Sequence, residues 1–128
     1  MLLNLQTAPG EFLDKLTILE IKSERMSDAA KLVNVRRELE LLRETWGASP
    51  LSVRDVTALV ARLKQVNEAL WEIEDAIRAR EAAKTFDGEF VELARSVYRT
   101  NDRRAEIKRE LNVALDSEIL EEKSYQAY

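Results

Sequence analysis

The side chains best suited to chemistry are four polar residues near the end of the chain: Asn101, Arg104, Lys108 and Asn112. Residues three or four apart share one face of a helix, so these four predict a single polar stripe. The same face is apolar on both sides of the stripe, at Phe90, Leu93, Ala94, Val97, Leu111 and Leu115. A packed helix buries such a face, and a buried polar group needs a hydrogen-bond partner. The stripe must therefore meet polar groups of another helix, water or a ligand.

Partners for the stripe are predicted on the preceding helix, where Asn67 and Glu74 lie at the edge of an apolar face. A hairpin that turns near residue 87 sets Glu74 opposite residues 99–101 and Asn67 opposite residues 106–108. We therefore predict that Glu74 reaches Asn101 or Arg104 and that Asn67 reaches Lys108. Together these residues form a polar layer between the third and fourth helices.

Three interpretations of this polar layer are open. It is a satisfied layer that fixes helix register, as a buried Asn does in coiled coils, and we favour this one. Alternatively, this part of the face is exposed beyond the end of a short neighbour. In the third interpretation it is a ligand site, in which Arg104 and Lys108 contact an anion and Glu74 is an orienting carboxylate or a base. The candidate ligand-binding residues are then Asn67, Glu74, Tyr98, Asn101, Arg104 and Lys108.

Other chemistry is poorly supported by the residue types. The chain contains no cysteine and no histidine, which excludes thiolate catalysis and removes the commonest general base and metal ligand. Glu11, Asp14, Glu20 and Glu24 have the spacing of magnesium ligands, but acid pairs are common on solvated helix faces. We predict no metal and no cofactor. No motif identifies a catalytic residue, so whether the chain is an enzyme is left open.

The elements that must position these residues are long helices. The 128 residues are 45% hydrophobic and 34% charged, with three glycines and two prolines, a composition that favours helices over sheets. We predict an all-α fold in one helical domain, 1–128, with helices at 9–26, 28–46, 53–85 and 88–115 and a tail at 116–128. The arrangement is four-helix bundle-like, with a long antiparallel hairpin formed by helices three and four and with the first helix at the centre.

Capping signals set the predicted helix starts. Thr7 precedes a proline in the first turn of helix one, Asp28 precedes helix two, and Asp87 precedes helix four. Ser52 to Asp55 resembles a capping box for helix three. Gly47 is the predicted stop of helix two.

The charge and the hydropathy of the sequence limit the kinds of partner that we expect the chain to bind. The net charge is −4, and the basic residues around Arg99 are interrupted by acids at helical spacing, so we do not expect nucleic-acid binding. No apolar run approaches the roughly 18 residues that span a bilayer, and the first residues lack a basic signal-peptide region. We expect no membrane contact and a cytoplasmic location.

Five segments together resemble a family of small all-helical bacterial proteins and domains of unknown function. They are residues 11–26 (EFLDKLTILEIKSERM), 34–42, 70–78 (LWEIEDAIR), 90–112 and 117–125. The resemblance implies a bacterial source and carries over no catalytic residue.

The function that we predict is association without catalysis. Long helices with several apolar faces, in a chain of this size, favour a homodimer that shares its core, or binding to another protein. The alternative is a binding protein or enzyme for a small anionic, phosphorylated ligand at the polar layer.

Overall fold

A computed structural model describes all 128 residues and contains four α-helices and no strands. The helices are α1 (Pro9–Arg25), α2 (Ala29–Ala48), α3 (Thr57–Ala82) and α4 (Gly88–Ala114), with a short 3₁₀ helix (Pro50–Val53) before α3. The all-α prediction is confirmed. No helix combines the length and the apolar character that crossing a membrane requires.

The predicted hairpin of α3 and α4 is confirmed by contacts along its length. Near its open end Arg62 of α3 binds Glu110 of α4 at 3.0 Å, and near the turn Arg80 binds Asp87 at 3.1 Å. Pairing of early α3 with late α4 requires an antiparallel arrangement. The turn itself passes through Lys84, which has a positive φ of 53°.

The central position predicted for the first helix is also confirmed, because α1 contacts α2, α3 and α4, whereas α2 packs only on α1 and the 3₁₀ helix. The buried apolar side chains form two clusters, one on each side of α1. One joins α1 to the hairpin through Leu13, Leu63 and Leu111, and the other joins α1 to α2 through Leu16 and Leu39. The two apolar faces of α1 thus serve two different neighbours.

The hairpin extends past this core. No residue between 68 and 99 is buried, and the buried part of the hairpin begins at Asn67 on α3 and Thr100 on α4. We call residues 68–99 the arm. Its apolar side chains are only half-buried, and α1 reaches the arm at its base, where Arg25 bonds to Glu68 and Glu72 at 3.4 Å. The half-buried apolar side chains include Leu70, Ile73, Ile77, Phe90, Leu93 and Val97.

The helix caps agree with the sequence at two of the four starts. Asp28 and Asp87 each accept a backbone N–H of the following turn, at 3.0 Å. The capping-box prediction is wrong: residues from Pro50 form the 3₁₀ helix, α3 begins at Thr57, and Asp55 accepts the Thr57 N–H at 3.1 Å. Helix three is therefore shorter than predicted.

The remaining two boundary predictions also need correction. Thr7 does not cap α1, whose N-cap is Ala8 with no side-chain hydrogen bond. Gly47 does not stop α2, which continues to Ala48. Nothing lies within 4 Å of where a Gly47 Cβ would sit, so this glycine meets no tertiary constraint.

Gly10 allows α1 to approach α4 closely. A Cβ at Gly10 would lie 2.5 Å from the Lys108 carbonyl oxygen and 2.7 Å from Asn112 Oδ1. The first distance involves backbone, which cannot yield without moving a helix. We therefore expect Gly10→Ala to lower the free energy of unfolding by about 1–3 kcal/mol, as overpacking usually does. Urea denaturation followed by helical circular dichroism measures the change.

Gly47→Ala is the matched control. Its methyl group meets no neighbour, and alanine has the better helix propensity by up to about 1 kcal/mol. It should leave stability unchanged or raise it. Equal effects of the two substitutions would contradict the close approach at Gly10.

Candidate functional site

The polar layer is centred on Asn67, which is 5% exposed and lies at the meeting point of α1, α3 and α4. Its Nδ2 donates to Asp14 Oδ1 at 2.9 Å and to Thr17 Oγ1 at 3.1 Å, both on α1. Its Oδ1 accepts from Arg104 of α4 at 3.4 Å. A single amide therefore connects the three helices.

Asp14 has the highest desolvation cost of the layer, because the residue is almost fully buried, at 6% exposure. A buried charge needs a compensating charge and hydrogen bonds. Asn67 supplies the hydrogen bond, and Lys108 Nζ lies 3.9 Å from Asp14 Oδ2. The Thr17 hydroxyl donates to the Asp14 backbone carbonyl at 2.8 Å, which fixes its oxygen to accept from Asn67.

Lys108 is surrounded by carboxylates. Its ammonium group pairs with Glu11 and approaches Asp14 and Glu121. The hydrogen bond from Lys108 is the main reason that the pKa of Glu11 is lowered from its ordinary value of 4.5. The positive charge that the sequence suggested for an anion is thus already balanced within the chain.

The layer ends at the start of α1. Asn112, which is also buried, accepts the backbone N–H of Gly10 at 2.7 Å. This bond caps the first turn of α1 from α4, where no local side chain does so. Every fully buried side-chain nitrogen or oxygen of the chain has a hydrogen-bond partner.

A shallow groove lies beside the layer, where α1 ends its contact with the hairpin. Its volume is about 390 Å³. Asn67, Arg104 and the apolar Ile18 and Ile21 line it on the side of the core, together with a row of α3 residues: Leu70, Trp71, Glu74, Asp75 and Arg78. The groove is open to solvent and contains charges of both signs.

The structure brings some of the candidate residues together and separates others. Arg104 donates to Asn101 at 2.8 Å and to Asn67, and it shares the groove with Glu74. The predicted pairing of Asn67 with Lys108 is wrong by one helical turn, since Arg104 takes that place. Glu74 binds neither Asn101 nor Arg104, because its carboxylate accepts from Arg78 on its own helix at 3.2 Å.

Two further candidates lie outside the groove. Lys108 faces the start of α1, and Tyr98 lies on α4 with its ring centroid 4.9 Å from that of Tyr128. The candidate set therefore does not converge on one enclosed cavity.

Sequence reasoning missed the contribution of α1. Asp14, Thr17 and Gly10 of α1 complete the layer, whereas the predicted layer contained residues of the third and fourth helices alone. A signal was present, because Glu11 and Asp14 interrupt a helix that is apolar on two faces. The four acids weighed as magnesium ligands have other partners: Glu11 and Asp14 meet Lys108, while Glu20 and Glu24 meet Lys64.

Comparison with known proteins gives one result that covers nearly the whole chain. The model of a family of unknown function (DUF6165) matches residues 3–128. The chain belongs to this family. No curated protein and no solved structure matches it. Membership in the family agrees with the resemblance seen in the sequence and assigns no activity.

Removal of the central amide tests the layer. Asn67→Ala leaves the buried Asp14 carboxylate without its amide donor and Arg104 without one acceptor. Leaving a buried polar group unpaired costs about 1–3 kcal/mol, so we expect a loss of that size in the free energy of unfolding. Urea denaturation measures it, with Asn34→Ala on the exposed side of α2 as the control, expected to stay within about 0.5 kcal/mol of wild type.

A double-mutant cycle with Asp14→Ala sharpens this test. Because Asn67 and Asp14 bind each other, the two substitutions should be clearly non-additive. Additive effects, or an Asn67→Ala variant as stable as Asn34→Ala, would show that the layer does not hold the helices together.

Proposed function

We propose that the chain is a non-enzymatic association module that forms a homodimer through the arm and the adjacent groove. The observation that carries this proposal is the half-buried apolar surface of the arm, which α1 reaches at its base, where Arg25 bonds to Glu68 and Glu72. Apolar surface that a fold leaves uncovered favours association, because its burial releases water. Bacterial source and cytoplasmic location remain expectations from the sequence.

Trp71 and Leu70 are the anchors of the proposed interface. Both line the groove and are half-buried, and they adjoin Ile18 and Ile21 of α1. Tryptophan is enriched among the residues that contribute most to protein interfaces, because its large flat ring buries much apolar area. A second helix laid in this groove would cover the ring.

Charge along the same edge of α3 favours a second copy of the chain as the partner. Asp75 and Arg78 both line the groove, one turn apart and with opposite charge. Two α3 helices that pair antiparallel about a twofold axis between these positions set Asp75 of each copy opposite Arg78 of the other. The present partner of Arg78 is Glu74 in an exposed pair on the same helix, which is worth little and is readily exchanged.

The closed polar layer supports the choice of association over catalysis. Arg104 and Lys108 already have hydrogen-bond partners within the chain, and no enclosed cavity joins them to Glu74. A site for chemistry needs groups that are held in place and still free to meet a substrate. The layer holds α1, α3 and α4 together, and the arm leaves apolar surface accessible to a partner.

Charge reversal tests the homodimer. We expect Asp75→Lys and Arg78→Glu each to weaken self-association by about tenfold or more, because each creates two like-charge contacts about the twofold axis. The double variant Asp75→Lys/Arg78→Glu restores opposite charges and should recover most of the affinity. Sedimentation equilibrium over a range of concentrations measures the three dissociation constants beside that of wild type.

A tryptophan readout provides the control for this experiment. In Trp46→Phe only Trp71 remains, and its emission should shift to shorter wavelength as concentration rises. In Trp71→Phe only Trp46 remains; it stacks on Phe12 inside the chain, with ring centroids 6.1 Å apart, and its emission should not change. A fully helical wild type that stays monomeric at micromolar concentration would overturn the proposal.

The second candidate function is binding of a small anionic ligand, and the groove provides its one specific observation. Arg104 and Arg78 both line it beside the Trp71 ring, an arrangement suited to a phosphorylated or carboxylated aromatic compound. The carboxylates of Glu74 and Asp75 line the same groove and would repel an anion. This candidate is therefore weaker than self-association.

A thermal-shift screen against phosphorylated metabolites, with and without magnesium, tests this second candidate. If the groove binds such a compound, the melting temperature of wild type should rise with ligand concentration, because a ligand that binds only the folded state stabilises it. Arg104→Met should lose the shift, while Arg62→Met, outside the groove, should keep it. No shift with any compound would remove the candidate.

A further inference from the structure

The tail (residues 116–128) folds back along α4. Glu122 binds Arg109 at 3.3 Å, and Lys123 Nζ binds Asp102 Oδ1 at 3.0 Å. The Tyr128 hydroxyl donates to the other oxygen of Asp102 at 2.5 Å. The tail thus runs antiparallel to α4 from Arg109 toward the arm.

The α4 residues that receive the tail form one stripe. Tyr98, Asp102 and Arg109 are separated by four and seven residues, which places them on the same side of the helix. Asp102 is the centre of this stripe, because it accepts hydrogen bonds from both Lys123 and Tyr128. Tyr98 completes it with an edge contact to the Tyr128 ring. The stripe thus receives a lysine and a tyrosine that are five residues apart in the tail.

The docked tail is held mainly at the surface. All residues from 118 to 128 are exposed, and Glu121 alone approaches the mostly buried Lys108, at 3.9 Å. Exposed ion pairs and hydrogen bonds of this kind contribute little individually, and water replaces them readily. Release of the tail would therefore break these contacts and leave the helices folded.

The base of the tail is tied to the end of α4, where the Ser117 N–H bonds to the Asn112 carbonyl at 2.8 Å. Asp116 has a positive φ of 52°, in the left-handed region, and its carboxylate binds Arg54 at 2.8 Å. Beyond it, residues 117–128 span up to roughly 36 Å when extended, at about 3.3 Å per residue. The docked path beside α4 from Asp116 back to Tyr98 covers about 27 Å of helix, at 1.5 Å per residue. The extended tail is therefore longer than its docked path, so a released tail reaches beyond its own α4.

We propose that the outer stripe of α4 is a peptide-docking surface that exchanges tails between two copies of the chain. A tail exchanged between copies makes the same contacts with Asp102, Tyr98 and Arg109 as a tail folded back on its own α4. Exchange costs no contact and needs only an open tail and a nearby second copy. The stripe lies outside the groove and shares only Tyr98 with the arm, and exchange does not depend on pairing of the arms.

The first part of the test asks whether the tail docks at Asp102. Cleavage after Lys123 by a lysine-specific protease reports the open tail, since Lys123 is engaged only when the tail is docked. We expect the full-length Asp102→Arg variant to be cleaved at least about threefold faster than wild type, as the open fraction rises. Glu44→Arg, at an exposed acidic position of α2, is the matched control and should match wild type.

The second part asks whether a tail docks on another copy. The donor is Asp102→Arg, whose tail is intact but has lost its own site. The acceptor carries Lys123→Glu and Tyr128→Ala, so its Asp102 is vacant and it has no cleavage site at position 123. A large molar excess of acceptor should slow cleavage of the donor tail at least about threefold. An acceptor that also carries Asp102→Arg should have no effect.

Each other outcome overturns the proposal. If wild type is cleaved as fast as Asp102→Arg, the tail does not dock. If the donor is cleaved at the same rate with and without acceptor, the tail docks only on its own chain. If both acceptors slow cleavage equally, the protection comes from another contact, such as pairing of the arms.

Discussion

The structure depends on one buried hydrogen-bonding group, the amide of Asn67. Its two ends bind different helices, α1 through Asp14 and Thr17 and α4 through Arg104. Apolar contacts alone are non-directional, so three helices packed by leucines have several registers of similar energy. The buried amide and carboxylate remove that degeneracy, because a helix displaced by one turn would leave a charge without a partner. We therefore expect the polar layer to select one arrangement of the bundle.

This constraint acts at only one end of the hairpin. Around Asn67 the polar groups are satisfied and the apolar clusters are closed, whereas no residue of the hairpin from 68 to 99 is buried. The fixed base holds the arm in a defined direction. Surfaces that meet partners are commonly carried in this way, with a rigid scaffold positioning groups that themselves remain accessible.

The sequence was a good guide to the helices and the hairpin, because periodic leucines and two Asp caps are local signals. It located the polar layer correctly on α4 and at Asn67. It did not find Asp14 and Thr17, since the contact joins residues 53 positions apart and spacing within one helix contains no information about a third. The capping box at Ser52 failed for a related reason: a proline and a 3₁₀ helix occupy that segment, and the motif alone does not report them.

The cap that Asn112 provides for α1 has a consequence for the order of folding. Short isolated helices are marginal in water, and α1 has no capping side chain of its own at Ala8. Its first turn is completed by a residue 102 positions later in the chain. The hairpin of α3 and α4 has a short connection and its own cap at Asp87, so it can form early from local contacts. Of these four helices, the first in chain order thus gains its stable start only after the fourth is in place.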